Sequence, residues 1–265
     1  MYEKYWELKE KPFENTPDPR FLYHSNQHRE ALARLFYAVQ EKKGAAVLTG
    51  DMGCGKTLLS RALFSGLDKK KFLLALIVNP SLTPLQMWGE IGIQLGGKEV
   101  FLERVEMMDA LGEVLKINHT NRKRSVIIID EAQEIKQADV FQQLRLLLNY
   151  QLEQEFLLTL ILLGQPELRD RINQVPPFKQ RISVRCHLGP LDPSEVPAYI
   201  NHRLAVAGGQ KPIFAKEALD LISEHSGGVP RNINNICDIC LLAGFIEKTK
   251  EIDRAIVERT VDELD

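Results

Sequence analysis

Residues 49–60 read TGDMGCGKTLLS, with three glycines crowded ahead of a lysine and a threonine. From Gly50 to Thr57 the order is G-x-x-x-x-G-K-T, which suits a phosphate-binding loop. The glycines let backbone N–H groups converge on an anion with no Cβ in the way. The N-terminus of the helix that follows adds its partial positive charge. Gly50, Asp51, Met52, Gly53, Cys54, Gly55, Lys56, Thr57 and Leu58 are thus the expected nucleotide-binding residues. Lys56 would reach the β- and γ-phosphates, and the Thr57 hydroxyl would ligate Mg²⁺. The bland alternative, a glycine-rich turn before a helix, is weakened by the apolar strand pattern that precedes the loop. Cys54, beside Lys56 at a helix start, is expected to have a lowered pKa and to be open to alkylation.

A second chemical feature is Val126-Ile-Ile-Ile-Asp130-Glu131. A carboxylate at the carboxyl end of a buried strand lies where open α/β sheets bind ligands. Asp130 is expected to hold Mg²⁺ through water, and Glu131 to polarise the attacking water. Two adjacent carboxylates can also be a plain strand-end turn, the weaker reading when paired with the upstream loop. The chain contains no N-K-x-D guanine-reading motif, so ATP is favoured over GTP.

These residues need a scaffold. The runs Ala45–Thr49, Phe72–Val78, Ser125–Ile129 and Leu157–Leu163 are continuously apolar and read as strands buried on both faces; Ser183–Leu188 is a fifth strand. Helical patterns lie between them, at Thr57–Leu67, Pro84–Leu95, Met107–Ile117, Val140–Asn149 and Pro166–Ile172. Alternation of this kind implies a parallel sheet with helices on both faces. After Pro190 no strand pattern remains. Asp192-Pro-Ser-Glu195 reads as a capping box that starts a helix ending at Gly208-Gly209. Helices over Phe214–His225 and from Pro230 follow, and Asp253 caps a short final one. The expected domains are 1–190, α/β, and 191–265, helical.

The bulk numbers exclude several classes. The length, 265 residues, fits one large domain or a medium and a small one, at roughly 100–200 residues each. A net charge of -2 does not suit a protein that coats nucleic acid or anionic membrane by charge alone. The basic runs Lys69–Lys71 and Arg122–Arg124 read as solvated loops. The mixed-charge N-terminus is no signal peptide, and no apolar run approaches the ~20 residues of a spanning helix. Four cysteines make no disulfide framework, which points to the reducing cytoplasm. Cys237 and Cys240 lie three apart among apolar neighbours, without a second zinc-like pair, and read as buried core thiols.

The loop, "IIIDEAQ", a polar residue after the next strand, an arginine-bearing segment and "GGVPR" together resemble an AAA+ ATPase. The opening "MYEKYWELKEKPFENTPDPRFLYHSNQHREALARL", with "LILLGQPELRDRI" and "SGGVPRNINNICD", is similar to the ExeA/GspA (general secretion pathway protein A, MshM-like) family over essentially the whole chain. The resemblance implies a P-loop fold with a five-stranded parallel sheet in order 5-1-4-3-2 and a helical lid over 191–265. It implies Gln165 as sensor 1, Arg231 as sensor 2 and Asn79 as the polar partner restraining the catalytic glutamate. An arginine finger acting in trans falls on Arg181, with Arg185 second. Gln165 could instead cap the helix at Pro166, Arg231 could be a solvent-facing charge, and Arg181 could form a surface ion pair. The aromatics of residues 1–35 are placed towards the adenine, with Phe21–His28 lining the base pocket or only sealing the sheet edge.

The resemblance thus implies an ATPase that uses ATP and Mg²⁺ and assembles into a homo-oligomer. It would drive or regulate assembly of a secretion, pilus or exopolysaccharide-export system through a membrane-associated partner. The expected location is cytoplasmic, peripheral at the inner membrane through that partner, with no membrane insertion. The family's secretion members carry a membrane span and a wall-binding region after the ATPase, so the chain is expected to be a short member or part of a longer protein. "DEAQ" raises a helicase reading, which lacks a second α/β domain. A DNA-linked regulator of the transposition type is the competing class, and the net charge disfavours tight DNA binding. A non-hydrolysing switch is disfavoured by Asp130, Glu131 and Arg181.

Overall fold

The structure, a computed structural model, describes residues 1–98, 103–135, 138–152 and 155–264. Asp265, the last residue of the expected helical domain, lies outside them. The chain forms two compact units. A sheet unit comprises Arg29–Asp51 and Leu59–Leu188, and a helical unit comprises Met1–His28, Met52–Leu58 and Gly189–Asp265. The helical unit's last segment begins at Gly189, and residues 1–28 cluster with it.

In chain order the elements are α1 (Asn26–Gln40), β1 (Ala45–Gly50), α2 (Lys56–Gly66), β2 (Phe72–Ile77), α3 (Pro84–Gln94), α4 (Arg104–Thr120), β3 (Arg124–Ile129), α5 (Ala138–Leu147), β4 (Gln151–Leu152), β5 (Glu155–Phe156), β6 (Leu158–Gly164), α6 (Glu167–Asn173), α7 (Pro176–Lys179), β7 (Ile182–Leu188), α8 (Val196–Val206), α9 (Lys216–Ser226), α10 (Pro230–Glu247) and α11 (Arg254–Leu264). Five strands form one parallel sheet in the order β2-β3-β6-β1-β7. Numbered along the chain as strands one to five, that is the expected 5-1-4-3-2. β4 and β5 pair only with each other, antiparallel.

Position in the sheet explains the burial of each strand. β1 and β6 lie inside the sheet and every residue of both is buried. β7, at one edge, alternates between buried and exposed residues. β2 departs from the expectation of burial on both faces, because it is the other edge and is mostly half-buried. Its open side is partly closed by α3. Gln94 Oε1 accepts from the Leu76 N–H at 2.7 Å while its Nε2 donates to the Leu76 carbonyl at 3.1 Å. A side-chain amide thus takes the place of a sixth strand and blunts the edge. α3 itself begins at a capping box between Thr83 and Gln86, with Pro84 in its first turn. Trp88, Leu95, Leu111, Leu115, Phe141, Leu144 and Phe178 pack with the apolar strands into one core. The buried Trp88 indole donates to Gln143 Oε1 at 3.0 Å.

The helical unit has a separate core, in which Tyr2, Trp6, Leu8, Phe13 and Phe21 pack against the apolar faces of α8–α11. Trp6 Nε1 donates to the Leu241 carbonyl at 2.9 Å. The buried Arg203 guanidinium donates to the carbonyls of Pro12 and Glu14 and to the Tyr199 hydroxyl, and lies 4.9 Å from the centre of the Phe21 ring. The N-terminal rings therefore seal the helical core. Asp192 does not open a helix. Its carboxylate accepts from Ser194 N–H within a turn, and α8 starts four residues later at Val196. Asp253 caps α11 through Ile256 N–H at 3.0 Å, as expected. Cys237 and Cys240 are fully buried in this core.

Leu162→Ala, in the middle of interior strand β6, should lower the unfolding free energy by about 2–5 kcal/mol. Leu73→Ala, on edge strand β2, should cost clearly less. Equal losses in urea denaturation would contradict the strand order.

Candidate nucleotide site

The phosphate loop lies where its sequence pattern predicts, after β1 and directly before α2. Gly53 and Gly55 have φ of +83° and +94°, a conformation open to glycine and strained for residues with a Cβ. Within the helical unit the loop segment Met52–Leu58 is held from two directions. Arg231, in the first turn of α10, donates its backbone N–H to the Gly53 carbonyl at 3.3 Å. A Cβ on Gly53 would come within 2.8 Å of Arg231 Cβ and 3.0 Å of Val229 Cγ1. The Arg231 residue itself is exposed.

From the other direction comes His28. Its Nε2 lies 3.1 Å from the Cys54 carbonyl, and its Nδ1 lies 2.7 Å from Ser25 Oγ. A carbonyl only accepts, so Nε2 must carry a proton. Nδ1 then accepts from the Ser25 hydroxyl, whose oxygen accepts in turn from the His28 N–H at 3.2 Å. His28 is 5% exposed, and burial pushes its pKa below the ordinary value. The neutral ring is thus a strut for the loop. A buried residue that fixes a loop through one carbonyl leaves no trace in periodicity, although Ser25 three residues ahead of His28 is an N-cap signal. Cys54 is 0% exposed, which overturns the expectation that its thiol is open to alkylation. Among the four cysteines only Cys186 is part-exposed, and burial raises its pKa to about 11.

The two carboxylates sit in the sheet unit. Asp130 continues the ladder past the end of β3, donating its N–H to the Ile77 carbonyl at 2.8 Å, and is 4% exposed. Glu131 is left-handed, with φ 50° and ψ 37°. This costs on the order of 1 kcal/mol for a residue with a Cβ and turns the chain sharply off the sheet. The Glu131 N–H donates to Asp130 Oδ1 at 2.9 Å. A 3₁₀ turn, Ala132–Glu134, follows and brings Gln133 back alongside. Gln133 Nε2 donates to Glu131 Oε2 at 2.6 Å, while its Oε1 accepts from the Gln165 N–H at 3.0 Å. The side chain that holds the glutamate is therefore Gln133, which sequence reasoning missed.

The remaining expected residues are placed as follows. Asn79 is exposed just after β2, and its Oδ1 accepts from Ser81 N–H within its own turn. Gln165 follows β6, and helix α6 beyond it has no side-chain cap. Arg181 donates to Asn149 Oδ1 at 3.2 Å, and the exposed Arg185 donates to the Lys179 carbonyl at 3.0 Å. Nearby, Arg169 Nε donates to Thr49 Oγ1, and with Lys179, Arg185 and His187 it lines a cleft of about 380 Å³. The two basic runs lie largely in exposed turns, in line with the expected solvated loops, and they adjoin: the Arg124 N–H donates to the Lys71 carbonyl, and residues of both runs line a cleft of about 560 Å³. The Thr57 hydroxyl and the Asp130 carboxylate are hard oxygen donors of the kind Mg²⁺ takes.

A parallel sheet in 5-1-4-3-2 order, a glycine loop opening onto a helix, and a carboxylate pair at the end of the third long strand define a P-loop nucleotide-binding protein. The AAA domain family matches residues 39–172, and the chain belongs to that family. It is 41% identical over 257 residues to general secretion pathway protein A of Aeromonas hydrophila, covering 95% of this chain and 46% of that protein. It is 29% identical over 147 residues to an uncharacterized HTH-type transcriptional regulator of Methanocaldococcus jannaschii, covering 54% of this chain and 36% of that one. It thus spans less than half the length of either relative. The fold matches the ORC2 protein of Aeropyrum pernix with a TM-score of 0.73 at 16% identity, over 96% of this chain and 72% of that one. Among the described residues no helix is long and apolar enough to cross a membrane.

Because the folded state holds His28 neutral and the unfolded chain does not, acid should favour unfolding. Below the ordinary histidine value near pH 6.5 the unfolded state binds a proton that the folded state resists, so stability falls with falling pH. His28→Gln should flatten that part of the stability–pH curve. An unchanged slope in the variant would show that the loss comes from other groups.

Proposed function

We propose that this chain binds ATP and hydrolyses it to ADP and phosphate with Mg²⁺, and that it works as a homo-oligomer. The observation that carries the reading is the Glu131 carboxylate, held in a fixed left-handed turn at the end of a buried strand. In this reading the N–H groups of the 50–58 loop and the Lys56 ammonium hold the phosphates. Thr57 and, through water, Asp130 hold Mg²⁺, which when bound neutralises charge on the β- and γ-oxygens. Glu131 would accept the proton of the attacking water as the water oxygen bonds to the γ-phosphorus and the bond from that phosphorus to the bridging oxygen breaks, so that ADP leaves with the bond's electron pair. Gln165 and Arg231 sense the γ-phosphate. Asn79 remains a candidate second partner for Glu131. Arg181, with Arg185 as the second choice, reaches the site of the next subunit in trans.

The similarity to general secretion pathway protein A supports a use in assembling a secretion, pilus or exopolysaccharide-export machine. The proposed setting is the cytoplasm, at the inner membrane through a membrane-associated partner. Residues 1–190 are the proposed ATPase domain and 191–265 the lid. The convergence of the two basic runs keeps a DNA-linked role as the second reading. ATP-dependent retention on DNA across a salt series supports that role, and no retention supports the first.

Lys56→Ala should abolish binding of a fluorescent ATP analogue. Glu131→Gln should keep the affinity within about twofold and lower turnover by a factor on the order of 10² or more; full turnover in Glu131→Gln removes its assignment. Arg181→Ala and Glu131→Gln should each be inactive alone, while their mixture should regain activity. In the mixture an intact Glu131 site receives Arg181 from a Glu131→Gln neighbour. A mixture as inactive as its parts contradicts a trans arginine at 181.

A further inference from the structure

We propose that Gln133 is a positioning residue that locks Glu131 and the backbone at Gln165 into one unit, so that the candidate base is aimed by the same amide that reads the end of β6. The proposal rests on the reading of Glu131 as the base.

The geometry is specific. Gln133 is 6% exposed and uses both ends of its amide, Nε2 on Glu131 Oε2 at 2.6 Å and Oε1 on the Gln165 N–H at 3.0 Å. Only a neutral group with a donor and an acceptor at opposite ends satisfies a carboxylate and an N–H together. A carboxylate at 133 would face Glu131 with like charge, and an apolar side chain would leave the Gln165 N–H without its acceptor. The bond to an ionised oxygen is charge-assisted and is the stronger of the two. It occupies Oε2 and so fixes which oxygen, Oε1, is left for a water.

Three neighbouring features hold the amide in place. The left-handed Glu131 and the 3₁₀ turn, closed by the Glu134 N–H on the Glu131 carbonyl at 2.8 Å, bring residue 133 back beside residue 131. Arg171 of α6 donates to the Ile135 carbonyl at 2.8 Å and pins the end of that turn. Gly164, the last residue of β6, makes room: a Cβ there would lie 2.7 Å from Gln133 Oε1 and 2.9 Å from Leu168 Cδ2. Gly164 is thus required for the approach of this amide rather than for an unusual backbone angle.

The test is single-turnover and steady-state ATP hydrolysis by the assembled protein, with nucleotide affinity measured separately. Gln133→Met should lower kcat by about 10–100-fold, the scale of a small misplacement of a reacting group, with nucleotide Kd and KM changed by no more than about twofold. Gln133→Glu keeps an acceptor for Gln165 but opposes Glu131, and should lose kcat as severely; it stands in if the methionine variant does not fold. Gly164→Ala should show the same split between kcat and KM. In a Glu131→Gln background Gln133→Met should add nothing to the residual rate, because the two residues act as one unit.

An unchanged or raised kcat in Gln133→Met overturns the proposal, a rise meaning that the amide parks the base rather than aims it. An equal fold-loss in both backgrounds also overturns it and marks a purely structural role. Wild-type turnover in Glu131→Gln alone overturns the base assignment itself, an outcome distinct from failure at Gln133.

Discussion

The sheet unit depends on how an apolar strand ends. β3 is buried from Ser125 to Ile129, yet the next two residues are carboxylates that need polar partners and a way off the sheet. Asp130 stays in the ladder through its N–H on Ile77. Glu131 then breaks into the left-handed region, and the following turn supplies an amide to hold its carboxylate. Burying an ionised oxygen without such partners would cost several kcal/mol. This arrangement in turn needs the strand order, since β6 is the neighbour of β3 and leads to the Gln165 N–H that anchors Gln133, and it needs the glycine at the end of β6 to leave room for the amide.

The helical unit solves a different problem. A loop meant to take an anion must direct its N–H groups outward, so its carbonyls have to be satisfied elsewhere. The Cys54 carbonyl meets the His28 ring, and the Gly53 carbonyl meets the Arg231 N–H. Both supports come from segments far away in sequence, the N-terminal stretch and the start of α10. The N-terminal stretch is held in turn by Trp6, Phe13, Phe21 and the carbonyls gathered by Arg203. A segment with little regular secondary structure is therefore tied by its rings and carbonyls to the helices it covers.

Much of this was legible in the sequence wherever one segment carried its own signal. Continuous apolar runs marked four of the five long strands, and the glycine spacing marked the loop. Less was legible where the outcome depends on what lies beside a segment. Nothing in Phe72–Val78 says that it is an edge strand, and nothing in Asp192-Pro-Ser-Glu195 says that the turn will not continue into helix. Cys54 carried a helix-terminus signal for reactivity, which packing overrode. Gln133 was visible only as the last letter of "DEAQ", because a pairing with Gln165 at the end of another strand depends on the strand order. The position of each expected site residue followed from its element; the roles of Gln165, Arg181, Arg231 and Asn79 came from resemblance and belong to the proposed function.

A part-buried carboxylate is held by an amide, a phosphate loop has two of its carbonyls satisfied from behind, and the proposed function adds an arginine from a second copy of the chain. The measurement that tests it most directly is the ATP hydrolysis rate per chain as protein concentration rises from nanomolar to micromolar. The account predicts a rate that is low at the dilute end and climbs as chains assemble, with Glu131→Gln flat throughout. A constant rate per chain down to the nanomolar range contradicts the shared site, and no phosphate release at any concentration contradicts the ATPase itself.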